Sequence, residues 1–246
     1  MNIVIPMAGK GERLKAGGFT SPKMLVECEG EPLFSWALKG LHPFFTQPFH
    51  LIFICLREHL QTSSVLKQIR DFCPYPCTIF TIDKLTEGQA ETVLMAEEYI
   101  NNNQPLLIFN CDTYIEIGLD SWSPNDTTAD GILWTFHSTE PNLSFVKTGV
   151  DQTVEEVVEK VPVSTLASTG LYFFRTGKLF VNEAKEAIKR RDRIREEYYI
   201  GPLYNELINQ GKVVEFQSIK SCFPLGTPEE ISRFKVHLKE EGNEVH

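Results

Sequence analysis

Apolar and polar residues along the first half of the chain follow two periods in turn. Short runs rich in β-branched and aromatic residues recur at 2–5, 51–55, 78–82, 106–109 and 132–136 and read as strands. The segments between most of them carry helical spacing. Pro32, just after the turn-like Gly30-Glu31, marks a helix start, with Leu33, Trp36, Ala37 and Leu41 on one face. Residues 60–72 put Leu60, Val65, Leu66 and Ile69 on one side, and residues 87–100 do the same with Ala90, Val93, Leu94 and Tyr99. Strand–helix alternation of this kind requires crossover connections, hence a mostly parallel sheet covered on both faces.

After about Asp120 the rhythm changes. Strand-like runs at 132–137, 145–148, 154–161 and 166–174 follow one another with little helix between them, which predicts a small antiparallel extension. Helical spacing returns at 178–189, 198–209 and 228–240, with a strand-like run at 213–217. Internal repeats are absent, including the hexapeptide repeats of a parallel β-helix. The expectation is a single domain over 1–246 whose rhythm divides it into 1–120 and 121–246.

At 246 residues the chain can bury one sizeable α/β core. A net charge of −9 disfavours a general nucleic-acid binder but leaves room for a small anion held by a local basic cluster. No stretch is long and apolar enough to span a bilayer, and no cleavable leader precedes the first strand, so a cytoplasmic protein is expected. Cys73 and Cys77 flank Pro-Tyr-Pro, which is not a zinc-ligand spacing; a packed or loop thiol pair is the reading.

In open α/β sheets ligands bind beyond the carboxyl ends of the strands. That rule selects the loops at 7–23, 83–88 and 110–114. The first reads Pro6-Met7-Ala8-Gly9-Lys10-Gly11-Glu12-Arg13, then Ser21-Pro22-Lys23. Small residues at Ala8, Gly9 and Gly11 let backbone N–H groups approach a phosphate or base, while Arg13 supplies a forked cation and Lys23 a point charge. The third glycine of a dinucleotide fingerprint is missing, and no Gly-Lys-Ser/Thr opens a helix as in a P-loop.

Gly9-x-Gly11-x-Arg13 with Pro22-Lys23 resembles the signature of the sugar-phosphate nucleotidyltransferases, the nucleoside-diphosphate-sugar pyrophosphorylases, and the likeness runs from about residue 2 to 234. The resemblance implies the nucleotide-diphospho-sugar transferase fold, a Rossmann-like α/β/α sandwich. It implies joining a nucleoside triphosphate to a phosphorylated acceptor with release of pyrophosphate, as in making nucleotide-sugar precursors of cell-surface polysaccharide. Ala8, Gly9 and Gly11 would lie against the nucleotide, with Arg13 and Lys23 neutralising the triphosphate. Asn110-Cys111-Asp112 resembles the family's metal-binding turn, which makes Asp112 the Mg²⁺ ligand; a turn-capping aspartate is the alternative.

Glu87-Gly88-Gln89 resembles the base-binding turn, and Asp83 stands where relatives carry a base-reading Gln. A carboxylate only accepts hydrogen bonds, which points to CTP or GTP rather than UTP or dTTP; Asp83 as a solvated loop residue, with Gln89 reading the base, stays open. Glu159-Lys160 resembles the Glu-Lys-Pro element that binds an acceptor hydroxyl and phosphate, and Ser168-Thr169-Gly170 resembles the turn beneath the sugar. The chain departs from the family at Pro224, where many members carry a second metal-binding Asp two residues before Gly226. Partners implied are a nucleoside triphosphate and a small phosphorylated acceptor, not nucleic acid or membrane, with a homo-oligomer left open. Two rivals remain: a glycosyltransferase using a sugar nucleotide, and a nucleotide-binding regulatory domain that has lost catalysis.

Overall fold

The structure is a computed structural model, and it describes residues 1–149 and 153–244. Along the chain come β1 (Asn2–Pro6), α1 (Glu12–Ala16), a small hairpin of β2 (Glu27–Cys28) and β3 (Glu31–Pro32), α2 (Leu33–Gly40), β4 (His50–Leu56), α3 (Arg57–Thr62), α4 (Val65–Phe72), β5 (Cys77–Ile82), α5 (Gln89–Leu94), α6 (Glu97–Ile100) and β6 (Leu106–Phe109). The second half adds β7 (Thr113–Glu116), β8 (Gly131–His137), β9 (Ser144–Thr148), β10 (Val154–Glu159), β11 (Leu166–Phe174), α7 (Gly177–Arg190), α8 (Leu203–Asn209), β12 (Val214–Ser218), β13 (Ser221–Pro224) and α9 (Pro228–Glu244).

Nine strands make one mixed sheet in the order β10-β9-β11-β6-β1-β4-β5, with β8 beside β11 and β12 beside β8. The β6-β1-β4-β5 half is parallel. It turns antiparallel where β11 joins β6. Side chains alternate between two apolar layers: Val4, Ile52, Ile54, Leu106 and Ile108 face one, Ile3, Ile5, Leu51, Phe53, Leu107 and Phe109 the other. Both faces are buried, so these strands read as continuous apolar runs. The fold is the nucleotide-diphospho-sugar transferase fold expected from the sequence, and the expected antiparallel extension is made by strands that continue the main sheet.

Three expected elements differ. Residues 60–72 do not form one helix, because Ser63 is extended and its hydroxyl donates to the carbonyl of His59. The break resets the phase of α4, so Val65 and Ile69 are buried while Leu66 is 40% exposed. Residues 87–100 likewise split into α5 and α6. The helix expected over 198–209 starts at Leu203, because the backbone of Tyr198 is bonded elsewhere: its N–H to Glu87 and its carbonyl to Ala90.

A two-stranded sheet of β7 and β13, unforeseen in the sequence, lies outside the main sheet with Pro224 opposite Thr113. Helix α9 packs on it through Phe234, which meets Trp36, Tyr114 and Phe223. That packing carries the far end of the chain back to the loop after β6.

Candidate active site

The loop after β1 is held to the sheet by the Met7 N–H, which donates to Ile54 at 2.8 Å. Ala8 is buried, and a side chain at Gly9 would enter open space, so the loop presents bare backbone there. Gly11 has φ +67 and precedes α1; a Cβ there would lie 2.9 Å from the Cβ of Lys23. Glycine at this position therefore answers both a left-handed backbone and the close passage of Lys23.

Lys23 opens a short 3-10 turn after Pro22, and its Nζ lies 2.9 Å from Oδ2 of Asp112. Burial works against the Lys23 ammonium, but the attraction and hydrogen bond of Asp112 win and hold its pKa above the ordinary lysine range. The loops after β1 and β6 thus meet in a charged pair with little access to water.

The chain's C-terminal return completes this centre. The Leu225 N–H donates to the Asp112 carbonyl at 2.8 Å. A Cβ on Gly226 would lie 2.7 Å from Nη2 of Arg13 and 3.2 Å from Oδ2 of Asp112, so Arg13, Lys23 and Asp112 converge where the Gly226 turn passes. Glu230, buried in the first turn of α9, accepts the Gly226 N–H at 2.8 Å. Nothing in the sequence singled out Glu230 for this centre, although Thr227-x-x-Glu230 is a capping-box pattern.

At the turn before α5, Gly88 has φ +136, and a Cβ there would overlap the backbone of Tyr198. Two hydrogen bonds straddle it, from the Tyr198 N–H to Glu87 at 2.7 Å and from the Ala90 N–H to Tyr198 at 3.0 Å. Gly88 is thus glycine because another loop's backbone lies against it. Gln89 donates through Nε2 to Oδ1 of Asn110 at 2.6 Å, leaving its Oε1 as an acceptor. Asp83 is exposed and ion-paired with Arg57.

On the second half, Glu159 is buried and accepts from the Ser144 hydroxyl. Burial pushes its carboxyl up, opposed by the Ser144 hydrogen bond and the charge of Lys160. Lys160, with φ +58, donates to the Tyr199 hydroxyl and lies 4.2 Å from the centre of that ring. Glu159 and Lys160 therefore each take a hydroxyl partner. Thr169 is buried with its hydroxyl accepting from the Leu171 N–H at 3.2 Å, which shapes the turn. Gly170 has φ +81, and a Cβ there would overlap the Asn110 side chain, so this turn abuts the Asn110–Gln89 contact.

A strand-end loop of bare backbone, two cations and one carboxylate is the apparatus of phosphoryl transfer. The family model for nucleotidyl transferases matches residues 3–236, and the chain belongs to that family. It is an enzyme of the nucleotidyltransferase class. Among solved structures it is similar to the nucleoside-diphosphate-sugar pyrophosphorylase of Vibrio cholerae RC9, with 29% identity over 95% of this chain and 99% of that one and a TM-score of 0.82. The inositol-1-phosphate CTP transferase of T. maritima shares the fold at 12% identity, covering 95% and 93%, with a TM-score of 0.75. So does the CTP:phosphocholine cytidylyltransferase of Streptococcus pneumoniae at 17%, covering 96% and 98%, with a TM-score of 0.71. No curated protein matches the chain in sequence. No helix among the described residues is long and apolar enough to cross a membrane.

Proposed function

We propose that the protein joins a nucleoside triphosphate to a sugar phosphate or similar small phosphorylated alcohol and releases pyrophosphate. The observation that carries this is the Lys23–Asp112 pair beside Arg13 and Gly226, at the carboxyl ends of β1 and β6. Residues 1–120 provide most of the nucleotide side and 121–246 most of the acceptor side.

An oxygen of the acceptor's phosphate attacks the α-phosphorus in line, forming the new P–O bond as the bond to pyrophosphate breaks. A phosphate monoester is largely ionised near neutral pH, so no protein base is required. Ala8, Gly9 and Gly11 line the nucleotide with backbone, and Arg13 and Lys23 neutralise the departing pyrophosphate.

Asp112 fits Mg²⁺ as one hard oxygen donor, and with Pro224 on β13 bringing no carboxylate the other ligands would have to come from phosphates and water. When bound, Mg²⁺ would neutralise charge at the α-phosphate.

On the base side CTP or GTP is favoured over UTP or dTTP, because cytosine and guanine bear an exocyclic amino group. Oε1 of Gln89 can accept from such an amino group while its Nε2 is held by Asn110, whereas the Asp83 carboxylate is taken up by Arg57. On the acceptor side, Glu159 would take a hydroxyl and Lys160 the phosphate. The Tyr199 ring already carries the Lys160 cation, which favours a sugar phosphate over a quaternary ammonium acceptor.

Pyrophosphate release measured with CTP, GTP, UTP, dTTP and ATP against hexose phosphates, polyol phosphates and phosphocholine tests the reading. Release should be greatest with CTP or GTP and a sugar phosphate. No release with any pair, and no nucleotide binding, would overturn it.

A further inference from the structure

Asn110, the first residue after β6, touches both halves of the chain through one side chain. Its Oδ1 accepts from Nε2 of Gln89 at 2.6 Å, at the start of α5. Its Nδ2 lies where a side chain on Gly170 would stand, since a Cβ there would overlap it. Gly170 leaves that space at a break in β11: the register with β8 shifts between Ser168 and Tyr172, and Gly170 takes φ +81. Extra backbone at such a break re-aims what lies beside it. Asn110 is thus set between the turn that carries Gln89 and the turn that carries Gly170.

The contact matters because a glutamine amide has two unlike ends. One accepts and the other donates, and rotation about its last side-chain bond exchanges them. A freely turning Gln89 would meet the amino group of cytosine or the corresponding carbonyl of uracil about equally well. With Nε2 committed to Asn110, Oε1 is the end that remains. The break in β11 gives Asn110 its place, and Asn110 gives Gln89 its orientation.

We infer that Asn110 is a positioning residue for base selection: it fixes which end of the Gln89 carboxamide faces the base. The inference rests on the reading of Gln89 as the residue that meets the base. Asn110 need not touch the nucleotide; it acts through Gln89.

The readout is the ratio of kcat/KM for CTP over UTP, two triphosphates that differ by an amino group against a carbonyl. For a guanine-preferring enzyme, GTP over inosine triphosphate serves. Asn110→Ala frees Gln89, so the ratio should fall about tenfold while the disfavoured triphosphate loses nothing. A merely structural lesion would lower both triphosphates together and leave the ratio alone. Asn110→Asp can only accept, so it should keep Nε2 in place and the ratio within about threefold of the wild type. In a Gln89→Ala background, Asn110→Ala should change the ratio no further. Gly170→Ala, in the other half of the chain, should reproduce the loss because its methyl group displaces the Asn110 side chain.

An unchanged ratio in Asn110→Ala or in a folded Gly170→Ala, a reversed ratio in Asn110→Asp, or a further change in the double variant would overturn the inference. So would a wild type that shows no base preference. Nucleotide affinities from calorimetry give the same ratio without turnover, so a protein that binds selectively but transfers nothing counts against nucleotidyl transfer alone. A wild type that prefers UTP counts against the choice of CTP or GTP, and Asn110 keeps its role only if Asn110→Ala erases that preference.

Discussion

The two sides of the proposed site hold their charges differently. On the side of the β1 loop, Lys23 and Asp112 face each other at 2.9 Å, cation on anion. On the side of β10, Glu159 and Lys160 are sequence neighbours, yet each is held by a neutral hydroxyl, Ser144 for one and Tyr199 for the other. A charge bound to a hydroxyl is more easily recruited by a ligand than one bound to an opposite charge, since the hydroxyl can re-pair at small cost. The first side is therefore preset for one chemistry. The second leaves both of its charges on neutral partners, as the acceptor role proposed for it requires.

The strongest challenge to this comparison is Lys23→Ala. On the proposed mechanism it removes a cation from the leaving group, and it strands the buried Asp112, so kcat/KM should fall by at least about 100-fold in a pyrophosphate-release assay. A loss under about tenfold would mean the pair is structural. On the other side, Lys160→Met should raise the KM for the acceptor roughly tenfold while leaving triphosphate affinity within about twofold by calorimetry. A parallel loss of nucleotide affinity would erase the distinction between the sides.

Gly88→Ala tests the junction between them. The added methyl meets the Tyr198 backbone at φ +136, so stability should drop by about 1–3 kcal/mol, read from denaturant melts. An undiminished midpoint would show that the two loops part easily.

The smallest effect concerns pH. The folded protein holds the Glu159 proton to higher pH than the unfolded chain does, because burial raises the carboxyl above its ordinary 4.5. Between those two values the folded state binds more protons, so this group's contribution to stability falls as pH rises through that window. Glu159→Gln removes the titrating group and should flatten that part of the melting-temperature profile. An unchanged slope would mean that Glu159 is not the group responsible.

What could be read in advance follows from how local each cause is. Strands β1, β4 and β6 were legible because burial on both faces leaves unbroken apolar runs, and α2 because Pro32 and its apolar face lie within one short stretch. Lys23 could be picked out from loop chemistry and Asp112 from its likeness to the family's metal-binding turn, and the two do meet. The break at Ser63 was missed because a side-chain hydrogen bond to the backbone overrides an apolar stripe without changing it. Glu230 was missed because its pattern announces only a helix start; its place behind Gly226 and Arg13 depends on α9 docking against β7 and β13, contacts between opposite ends of the chain. The partners of Glu159 and Lys160 likewise come from Ser144 and Tyr199, which no spacing connects to them.

The clasp between residues 87–90 and Tyr198 bears on how such a protein can be rebuilt. Exchanging a surface segment between relatives ordinarily asks only that its ends match. A donor segment spanning 191–199 would also have to reproduce a backbone that fits over Gly88 and bonds to Glu87 and Ala90. Chimeras that swap both strips together should express as folded protein more often than those that swap either alone, which makes the two strips, distant in sequence, one unit of inheritance.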